Sequence, residues 1–252
     1  MRPKTLSVII PAKDEIENLP TLLDEIEQAL ISINYEVIVI DDGSVDNTHQ
    51  WLEDKAKANL RLRAYRHSRS AGQSTSIWQA ARLAQGDWLA TIDADKQNDP
   101  ADIPTLYQYA ITNTVTLVAG KRSKRRDVWH KRVSSRIANS IRSKLLKDST
   151  PDTGCGLKLI NKNAFLQLPY FNHMHRFIPA LIQAQGGTCI SINVNHRERQ
   201  KGQSHYGLHD RLWVGIVDIL GVIWLRRRSR LPANLMPLVD SYTTIDDSRE
   251  HV

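Results

Sequence analysis

Two carboxylates separated by a single residue follow a short β-rich run in the first half of the chain. Asp93 and Asp95 come directly after the run Trp88–Ile92. Residues i and i+2 of an extended chain point to the same side, so both side chains can converge on one cation. Mg²⁺ and Mn²⁺ prefer oxygen ligands, and Gln97 offers a further carbonyl oxygen. The alternative is a solvated acidic turn, because turn-forming residues follow at positions 98–100.

A second acidic turn, Asp41-Asp42-Gly43-Ser44, follows the run Tyr35–Ile40. Carboxylates at such a strand end can accept hydrogen bonds from a base or a ribose. Alternatively, Asp42 or Ser44 caps the helix that is predicted to begin near Asp46. Taken alone, the pattern favours the cap.

Two other turns precede predicted helices. Pro11–Glu15 carries two acids, which suit the positive end of the helix dipole that follows. Ala71–Ser74 is a turn of small residues that either admits a phosphate or caps a helix.

These turns must be positioned by alternating strands and helices. The pattern predicts strands at Leu6–Ile10, Tyr35–Ile40, Leu60–Tyr65, Trp88–Ile92 and Thr116–Ala119, and helices at Glu17–Ile31, Asp46–Lys57, Ser74–Ala84 and after Pro100. Such alternation indicates βαβ units, a mostly parallel sheet and helices on both faces. Right-handed crossovers then bring the strand ends, and any ligand, to the carboxyl edge of the sheet.

The composition limits the compartment and the partner. The 252 residues carry a net charge of +7 and two cysteines, which excludes a disulfide framework and a zinc cluster and favours a reducing compartment. The apolar run Leu6–Ile10 is too short for an export signal, so none is expected. The polar, acidic segment after Pro237 is predicted to be a flexible tail.

The positive charge is concentrated after Gly120. Residues 121–147 contain eleven Lys or Arg and a single acid, and further clusters lie at Arg197–Lys201 and Arg226–Arg230. An acidic membrane, a diphosphate and a nucleic acid are all anionic partners that suit this charge. Trp129 is the sole aromatic residue in the first cluster, so the stacking platform of a nucleic-acid-binding protein is missing and no nucleic-acid partner is expected.

Four ordered motifs resemble the family 2 glycosyltransferases. They are SVIIPAKDEIENL at Ser7–Leu19, VIDDGSVDNT at Val39–Thr48, the segment Gly72–Pro100, and DTGCGLKLINKNA at Asp152–Ala164. The resemblance implies a glycosyltransferase A-type, Rossmann-like fold and a Mg²⁺ or Mn²⁺ ion at Asp93, Asp95 and Gln97. It implies that the nucleotide-sugar donor is held by residues at Pro11, Ala12, Glu15, Asp42, Gly72, Asp93, Ala94 and Asp95.

Within this family the chain is most similar to the polyprenyl-phosphate transferases of the dolichol-phosphate mannose synthase type. The matching segments are AGKRSKRRD at Ala119–Asp127, HKRVSSRIAN at His130–Asn139 and HRERQKGQSHYG at His196–Gly207. The acceptor-phosphate residues that this resemblance implies are Arg122, Lys131, Ser135, Arg199 and Ser204. Three positions depart from the common pattern: Lys13 replaces Asn, Lys158 replaces Arg and His205 replaces Lys.

The implied reaction is transfer of a hexose from a UDP- or GDP-sugar to undecaprenyl or dolichyl phosphate, with inversion at the anomeric carbon. The role of Asp152 stays open: it orients the sugar or the acceptor, or it caps a turn. The rival interpretation is a family 2 enzyme that acts on a sugar hydroxyl in polysaccharide or lipopolysaccharide synthesis, with Asp152 as general base.

The segment Leu212–Leu225 is the most apolar of the chain and is interrupted by Asp218. Fourteen helical residues span about 21 Å, less than the roughly 30 Å of a bilayer core. An amphipathic helix lying in the membrane interface is therefore predicted, with its apolar residues at Trp213, Ile216, Leu220, Ile223 and Trp224. The alternative is a core helix or half of a dimer interface.

The sequence accordingly predicts three parts: a catalytic domain over residues 1–208, a membrane-associating helix over 209–230 and a tail over 231–252. The predicted location is peripheral, on the cytoplasmic face of the inner membrane. Either the lipid surface itself or a small membrane partner protein could hold the chain there, and the pattern is also compatible with a homo-oligomer.

Overall fold

The computed structural model describes residues 6–122, 145–146, 148, 150–198 and 208–228, the side chains of 208–214 excepted. The strands are β1 Leu6–Ala12, β2 Tyr35–Asp41, β3 Leu62–Arg66, β4 Trp88–Thr91, β5 Leu117–Arg122, β6 Lys158–Asn161 and β7 Cys189–Val194. The α-helices are α1 Leu19–Ala29, α2 Thr48–Ala58, α3 Gln73–Leu83, α4 Ile103–Thr112, α5 Lys162–Leu166, α6 Ile178–Ala184 and α7 Leu208–Arg228. Short 3₁₀ turns lie at Pro100–Asp102 and Met174–Arg176.

The strands form one mostly parallel sheet in the order β3-β2-β1-β4-β6-β5-β7. β1 pairs in parallel with both β2 and β4, and β2 pairs in parallel with β3. β6 is the exception, because it runs antiparallel between β4 and β5. The last strand, β7, is again parallel to β5. The predicted parallel sheet is thus confirmed, and it is extended by two strands that the sequence pattern did not assign.

Alternate residues of the central strands face two separate cores. Leu6, Val8 and Ile10 of β1 pack on one face of the sheet, and Ile9 packs on the other. The first core is completed by α1, α2 and α4, and the second by α3, α5, α6 and α7. The near-continuous apolar character of β1 and β2 follows from this burial on both faces, which parallel sheets require.

Several element ends differ from the predicted ones. α1 begins at Leu19 rather than Glu17, because the chain first makes a turn in which the Glu15 carbonyl accepts from the amides of Asn18 and Leu19. Pro20 then stands in the first helical turn, where its missing N–H has no cost. At the other end of the sheet β5 continues to Arg122, which therefore stands at a strand end.

The C-terminal helix α7 packs one side against the second core. Val222 is buried there, and Asp218 pairs with His173 at 3.0 Å between Oδ2 and Nδ1. The opposite side exposes Ile216, Val217, Leu220, Gly221 and Trp224. Of the five apolar residues predicted to share one face, Ile223 packs instead against the second core, as does Ile219 one helical turn earlier. The Trp213 side chain lies outside the described residues.

In the part of the chain that the structure describes, no helix has both the length and the apolar character to cross a bilayer.

Candidate functional site

The turns singled out in the sequence meet at the carboxyl edge of the sheet. β1, β2 and β4 are neighbours, and each leads directly into one of these turns. The Ala12 carbonyl accepts from the Asp42 amide at 2.7 Å, which joins the first two turns at their base. This edge is the place at which open α/β sheets bind ligands.

Asp93 is held against the first turn of α3 and the end of the β4–β6 pair. Its Oδ1 accepts a hydrogen bond from Gln73 Nε2 at 2.8 Å. Gly156, just before β6, lies so close that a Cβ on it would meet Asp93 Cγ at 2.5 Å. The buried Lys158 side chain acts electrostatically on Asp93 and donates to the Cys155 carbonyl. The Asp93 carboxylate is therefore surrounded by the Gln73 amide, the Lys158 side chain and the Gly156 backbone. A larger residue than glycine at position 156 would not fit beside it.

In the absence of a cation, ionisation of the Asp93 carboxyl group is unfavourable. Burial and the charge of Asp95 raise its pKa from 3.8 to about 6, against the opposing charges of Lys158 and Arg122 and the Gln73 hydrogen bond. A folded-state pKa above the unfolded value means that ionisation destabilises the fold. The penalty is absent below about pH 3.8, where both states are protonated, and is complete above about pH 6.

Asp93→Asn is therefore expected to raise the free energy of unfolding of the metal-free protein. The expected gain at pH 8 is on the order of 1–2 kcal/mol, and it shrinks as the pH falls towards 4. Chemical denaturation at several pH values measures it, and the exposed Asp87→Asn is the matched control. A destabilised Asp93→Asn variant at pH 8 would contradict this account of Asp93.

Asp95 and Gln97 occupy the turn that follows. The Gln97 amide donates to Asp95 Oδ1 at 3.2 Å, and the Gln97 carbonyl accepts from the Arg197 amide at 2.9 Å. Between them Lys96 adopts a left-handed φ of 60° and pairs with Glu25 of α1. The turn is thus fixed by α1 and by the segment that follows β7.

That segment also supplies a residue that sequence reasoning missed. His196 forms a bridge with Asn98, and its Nδ1 is buried without a hydrogen-bond partner among the described residues. Burial and the charge of Arg122 lower the His196 pKa, whereas the charges of Asp152 and Asp95 act in the opposite direction. His196 stands in the quoted HRERQKGQSHYG segment, but nothing in its spacing pointed to the carboxylates.

Arg197, counted above among the basic residues, is used within the protein. Its Nη1 lies 2.6 Å from Glu25 Oε2 and its Nη2 lies 2.8 Å from Asp99 Oδ1. This residue therefore ties the segment after β7 to α1 and to the Asp95 turn. The predicted acceptor residues Lys131, Ser135, Arg199 and Ser204 lie outside the described residues.

Arg122 and Asp152 form a two-pronged ion pair. Arg122 Nε and Nη2 each donate to a different oxygen of Asp152 at 2.7 Å, and the Arg122 amide donates to Oδ2 at 3.2 Å. Both side chains are largely buried, and Gly154 lies beside the guanidinium. Asp152 thus holds the plane of the Arg122 guanidinium at the end of β5.

Asp42 organises the loop before α3. Its two oxygens accept from the Ser70 hydroxyl and from the amides of Ala71 and Gly72, and Oδ1 lies 2.7 Å from His67 Nδ1. These bonds lower the Asp42 pKa in spite of its burial. The Ala71 and Gly72 amides, considered above as phosphate donors, are therefore already bonded to a carboxylate.

The helix-capping interpretation of Asp42 and Ser44 is wrong, because both side chains bond elsewhere. Ser44 Oγ accepts from the Asp14 amide at 2.9 Å, and Thr48 Oγ1 accepts from the Glu15 amide at 3.1 Å. In return, Asp14 Oδ1 accepts from the Val45 amide at 2.7 Å. The Pro11–Glu15 turn and the turn after β2 are thus interlocked.

The donor set suits a divalent cation that is completed by substrate oxygens. No cluster of three His, Cys, Asp or Glu side chains converges on a metal position among the described residues. Asp93 and Asp95 nevertheless bring two carboxylates to this turn, and His196 Nδ1, which has no hydrogen-bond partner in the described part of the chain, lies in the adjoining segment. Mg²⁺ typically binds to one or two carboxylates plus substrate phosphates rather than to an all-protein cage. The residues present fit that mode.

Comparison with known proteins identifies relatives of this chain. The family described as Glycosyl transferase family 2 matches residues 7–168. An undecaprenyl-phosphate 4-deoxy-4-formamido-L-arabinose transferase from Aeromonas hydrophila is 34% identical over 81% of this chain and 64% of its own length. A dodecaprenyl-phosphate galacturonate synthase from Rhizobium johnstonii is 29% identical over 91% of this chain and 69% of its own length. The chain thus spans only about two thirds of these relatives.

A solved structure shares the fold. Glucosyl-3-phosphoglycerate synthase from Mycobacterium tuberculosis, crystallised with Mn²⁺, UDP and glucosyl-3-phosphoglycerate, superposes with a TM-score of 0.67 at 20% identity, over 88% of this chain and 80% of that protein. The predicted glycosyltransferase A-type fold is therefore confirmed. The four ordered motifs quoted from the sequence all lie inside the matched region. The chain belongs to glycosyl transferase family 2.

Proposed function

We propose that this chain transfers a sugar from a UDP- or GDP-sugar to a polyprenyl phosphate such as undecaprenyl or dolichyl phosphate. The observation that carries the proposal is the Arg122–Asp152 ion pair beside Asp93. This pair places an oriented guanidinium group next to the turn that contains Asp93 and Asp95. The Aeromonas and Rhizobium relatives, an undecaprenyl-phosphate sugar transferase and a dodecaprenyl-phosphate galacturonate synthase, support the acceptor class.

On the donor side, Asp93, Asp95 and Gln97 are the proposed holders of Mg²⁺ or Mn²⁺, with His196 as an additional contact. A divalent cation bound there would neutralise the diphosphate leaving group. The interlocked turns at Pro11, Ala12, Glu15 and Asp42, together with Gly72 and Ala94, are the proposed walls of the nucleotide site. Mn²⁺ and UDP in the crystals of the mycobacterial synthase support this choice.

On the acceptor side, positioning matters more than proton removal. A phosphate monoester has a second pKa near roughly 6, so it is mostly dianionic at pH 7 and is already a nucleophile. Arg122, with its plane fixed by Asp152, suits such an oxyanion because a guanidinium binds phosphate through two parallel hydrogen bonds. Lys131, Ser135, Arg199 and Ser204 remain predicted partners of the same phosphate. Displacement with inversion follows from direct attack.

The decisive assay uses purified protein, labelled UDP- and GDP-sugars, Mn²⁺ or Mg²⁺, and undecaprenyl or dolichyl phosphate. Label in the organic phase that depends on both metal and lipid phosphate is the expected result, and it identifies the donor. Donor hydrolysis without a lipid product would contradict the acceptor class and favour a sugar hydroxyl. A folded protein that consumes no donor would contradict the proposal as a whole.

Arg122→Ala is expected to lower transfer about 100-fold, mainly through a higher KM for the lipid phosphate, with the donor KM little changed. Arg122→Lys should recover only part of the activity, because lysine is a point charge. Asp152→Asn should be milder, about 10-fold, since an amide still accepts one of the two hydrogen bonds. Initial rates at varied lipid phosphate measure all three, with thermal unfolding as the test of folding. If Asp152 were a general base for a hydroxyl acceptor, Asp152→Asn would be the more damaging change.

We further propose that the exposed side of α7 lies on the membrane surface, on the cytoplasmic face if the nucleotide donor is cytoplasmic. Leu220 and Trp224 are 60% and 62% exposed, and Arg227 and Arg228 share their side of the helix. A tryptophan and arginines beside exposed apolar residues suit the interface of an anionic bilayer. Direct contact with lipid is preferred over a small membrane partner because the charged and apolar groups already form one face.

Leu220→Ser with Trp224→Ser is expected to release at least 90% of the protein from vesicles that contain anionic lipid, on the basis of roughly 4 kcal/mol of lost apolar burial. Co-sedimentation measures the bound fraction. Ile31→Ser with Leu60→Ser is the matched control, because those side chains are 85% and 93% exposed but lie outside α7. Equal release by both pairs, or by neither, would contradict the assignment of this face.

A further inference from the structure

A turn far along the chain contacts the first turn of α3. In the 3₁₀ turn Met174–Arg176, His175 Nδ1 lies 2.7 Å from Ser74 Oγ, and the His175 amide donates to the same oxygen at 3.2 Å. Ser74 Oγ accepts the bond from the His175 amide and shares a second bond with Nδ1, whose direction follows the tautomer of the imidazole. When the imidazole is neutral with its proton on Nε2, the Ser74 hydroxyl donates to Nδ1.

The environment keeps His175 neutral. Burial lowers its pKa to about 3, and the charges of Lys158 and Arg176 act in the same direction. The turn itself is fixed, because its first residue, Met174, and the residue that follows it, Phe177, are both buried in the second core. His175 is thus neutral, and held at one place, across the physiological pH range.

The start of α3 depends on such an anchor. The helix follows Gly72, which has a φ of 88° and makes no side-chain capping bond, so the first turn has no cap of its own. On one side Asp42 holds the Gly72 amide, and on the other side His175 holds Ser74. Gln73, the first helical residue, stands between these anchors and donates from Nε2 to Asp93 Oδ1.

We propose that His175 is a positioning residue of the cation site: through Ser74 it fixes the first turn of α3, from which Gln73 orients the Asp93 carboxylate. The inference rests on the proposed function to the extent that Asp93 binds the cation. Hydrogen-bonded partners of ligating carboxylates typically change metal affinity 10- to 100-fold when they are removed. A polar pair that merely fills the core would leave metal affinity unchanged.

The test measures Mn²⁺ binding directly, in the presence of UDP, from the loss of the free-ion electron paramagnetic resonance signal. Ser74→Ala and His175→Leu are each expected to weaken Mn²⁺ binding about 10-fold. His175→Asn should return the affinity to within about threefold of the wild type, because its Oδ1 can accept the Ser74 hydrogen bond. Thermal unfolding shows that each variant is folded, and Ser74→Ala, the smallest change, serves if His175→Leu does not fold.

A double-mutant cycle tests the route through Gln73. In the background of Gln73→Met, Ser74→Ala should have no further effect on Mn²⁺ affinity, because the contact that it supports is already gone. Additive losses would overturn the inference, and so would wild-type affinity in folded Ser74→Ala or a His175→Asn variant as weak as His175→Leu. If the wild type with UDP binds no Mn²⁺, the cation site of the proposed function fails first, and the inference fails with it.

Discussion

Asp95→Ala is expected to reduce sugar transfer at least about 10³-fold while the fold persists. The cation and its carboxylates are proposed to stabilise charge that develops on the leaving diphosphate, and single elements of such stabilisation are commonly worth 10²–10³. The fold should survive, because Asp95 lies in a turn after β4, where its Oδ1 accepts from the Gln97 amide of the same turn. Transfer at saturating Mn²⁺, together with Mn²⁺ binding, measures the effect.

Asp87→Ala, in the turn before β4, is the matched control for this change. It removes an exposed carboxylate at the opposite end of the same strand. Its activity should stay within about twofold of the wild type, as is usual for surface substitutions away from a site. Full activity of Asp95→Ala at saturating metal would remove Asp95 from the cation site and leave Asp93 as the sole carboxylate candidate.

The part of the fold that the sequence predicted is the part with regular periodicity. β1 and β2 are apolar nearly throughout and are bounded by turn residues, so their strands and the following helices could be assigned from pattern alone. β6 could not, because Lys158–Asn161 is only four residues long and begins and ends with polar side chains. Its antiparallel insertion between β4 and β5 depends on contacts distant in sequence.

The candidate site divides in the same way. Asp93 and Asp95 were predictable, because the end of a parallel strand and a spacing of two are local features. Their neighbours were not: Gln73 belongs to a helix that precedes β4, and Lys158 belongs to β6. Only packing of the whole sheet brings an amide and a buried lysine to one carboxylate.

Asp152 shows why the partner of a side chain can stay open until the fold is known. From the sequence it was equally suited to a substrate, a proton or a turn, because an acid in a glycine-rich loop has no periodic partner. The structure pairs it with Arg122, at the end of a strand 30 positions earlier. Arg197 is the converse case, since a residue in a basic cluster is bonded to Glu25 and Asp99. The distribution of basic residues along the sequence therefore does not reveal which basic side chains are available to a ligand.

These observations assign distinct tasks to the glycines of the segment DTGCGLK. The loop must pass Arg122 and then Asp93 at close range before it enters β6. Gly154 passes the guanidinium, and Gly156 passes the carboxylate. The Gly156 carbonyl also accepts from Thr91 Oγ1 at 2.7 Å, so the backbone at this point cannot move away from β4 without loss of that bond.

Gly156→Ala is therefore expected to reduce transfer at least about 100-fold and to weaken Mn²⁺ binding. The new methyl group would meet Cγ of Asp93 at 2.5 Å, well inside van der Waals contact. The carboxylate must swing aside, because the Thr91 bond holds the loop, and a misplacement of about 1 Å at a reacting centre commonly costs about 100-fold. Overpacking of this kind should also lower the free energy of unfolding by about 1–3 kcal/mol.

Gly154→Ala is the matched control, since it makes the same substitution in the same loop. Its methyl group would lie 3.3 Å from Arg122 Nη2 and 3.9 Å from Asp152 Oδ1 rather than against Asp93, so Mn²⁺ affinity should be unchanged and any effect should fall on the KM for the lipid phosphate. Mn²⁺ binding and steady-state kinetics of both variants separate the two outcomes. A Gly156→Ala variant with wild-type Mn²⁺ affinity would show that Asp93 is not held for a cation, because the substitution cannot leave its carboxylate in place.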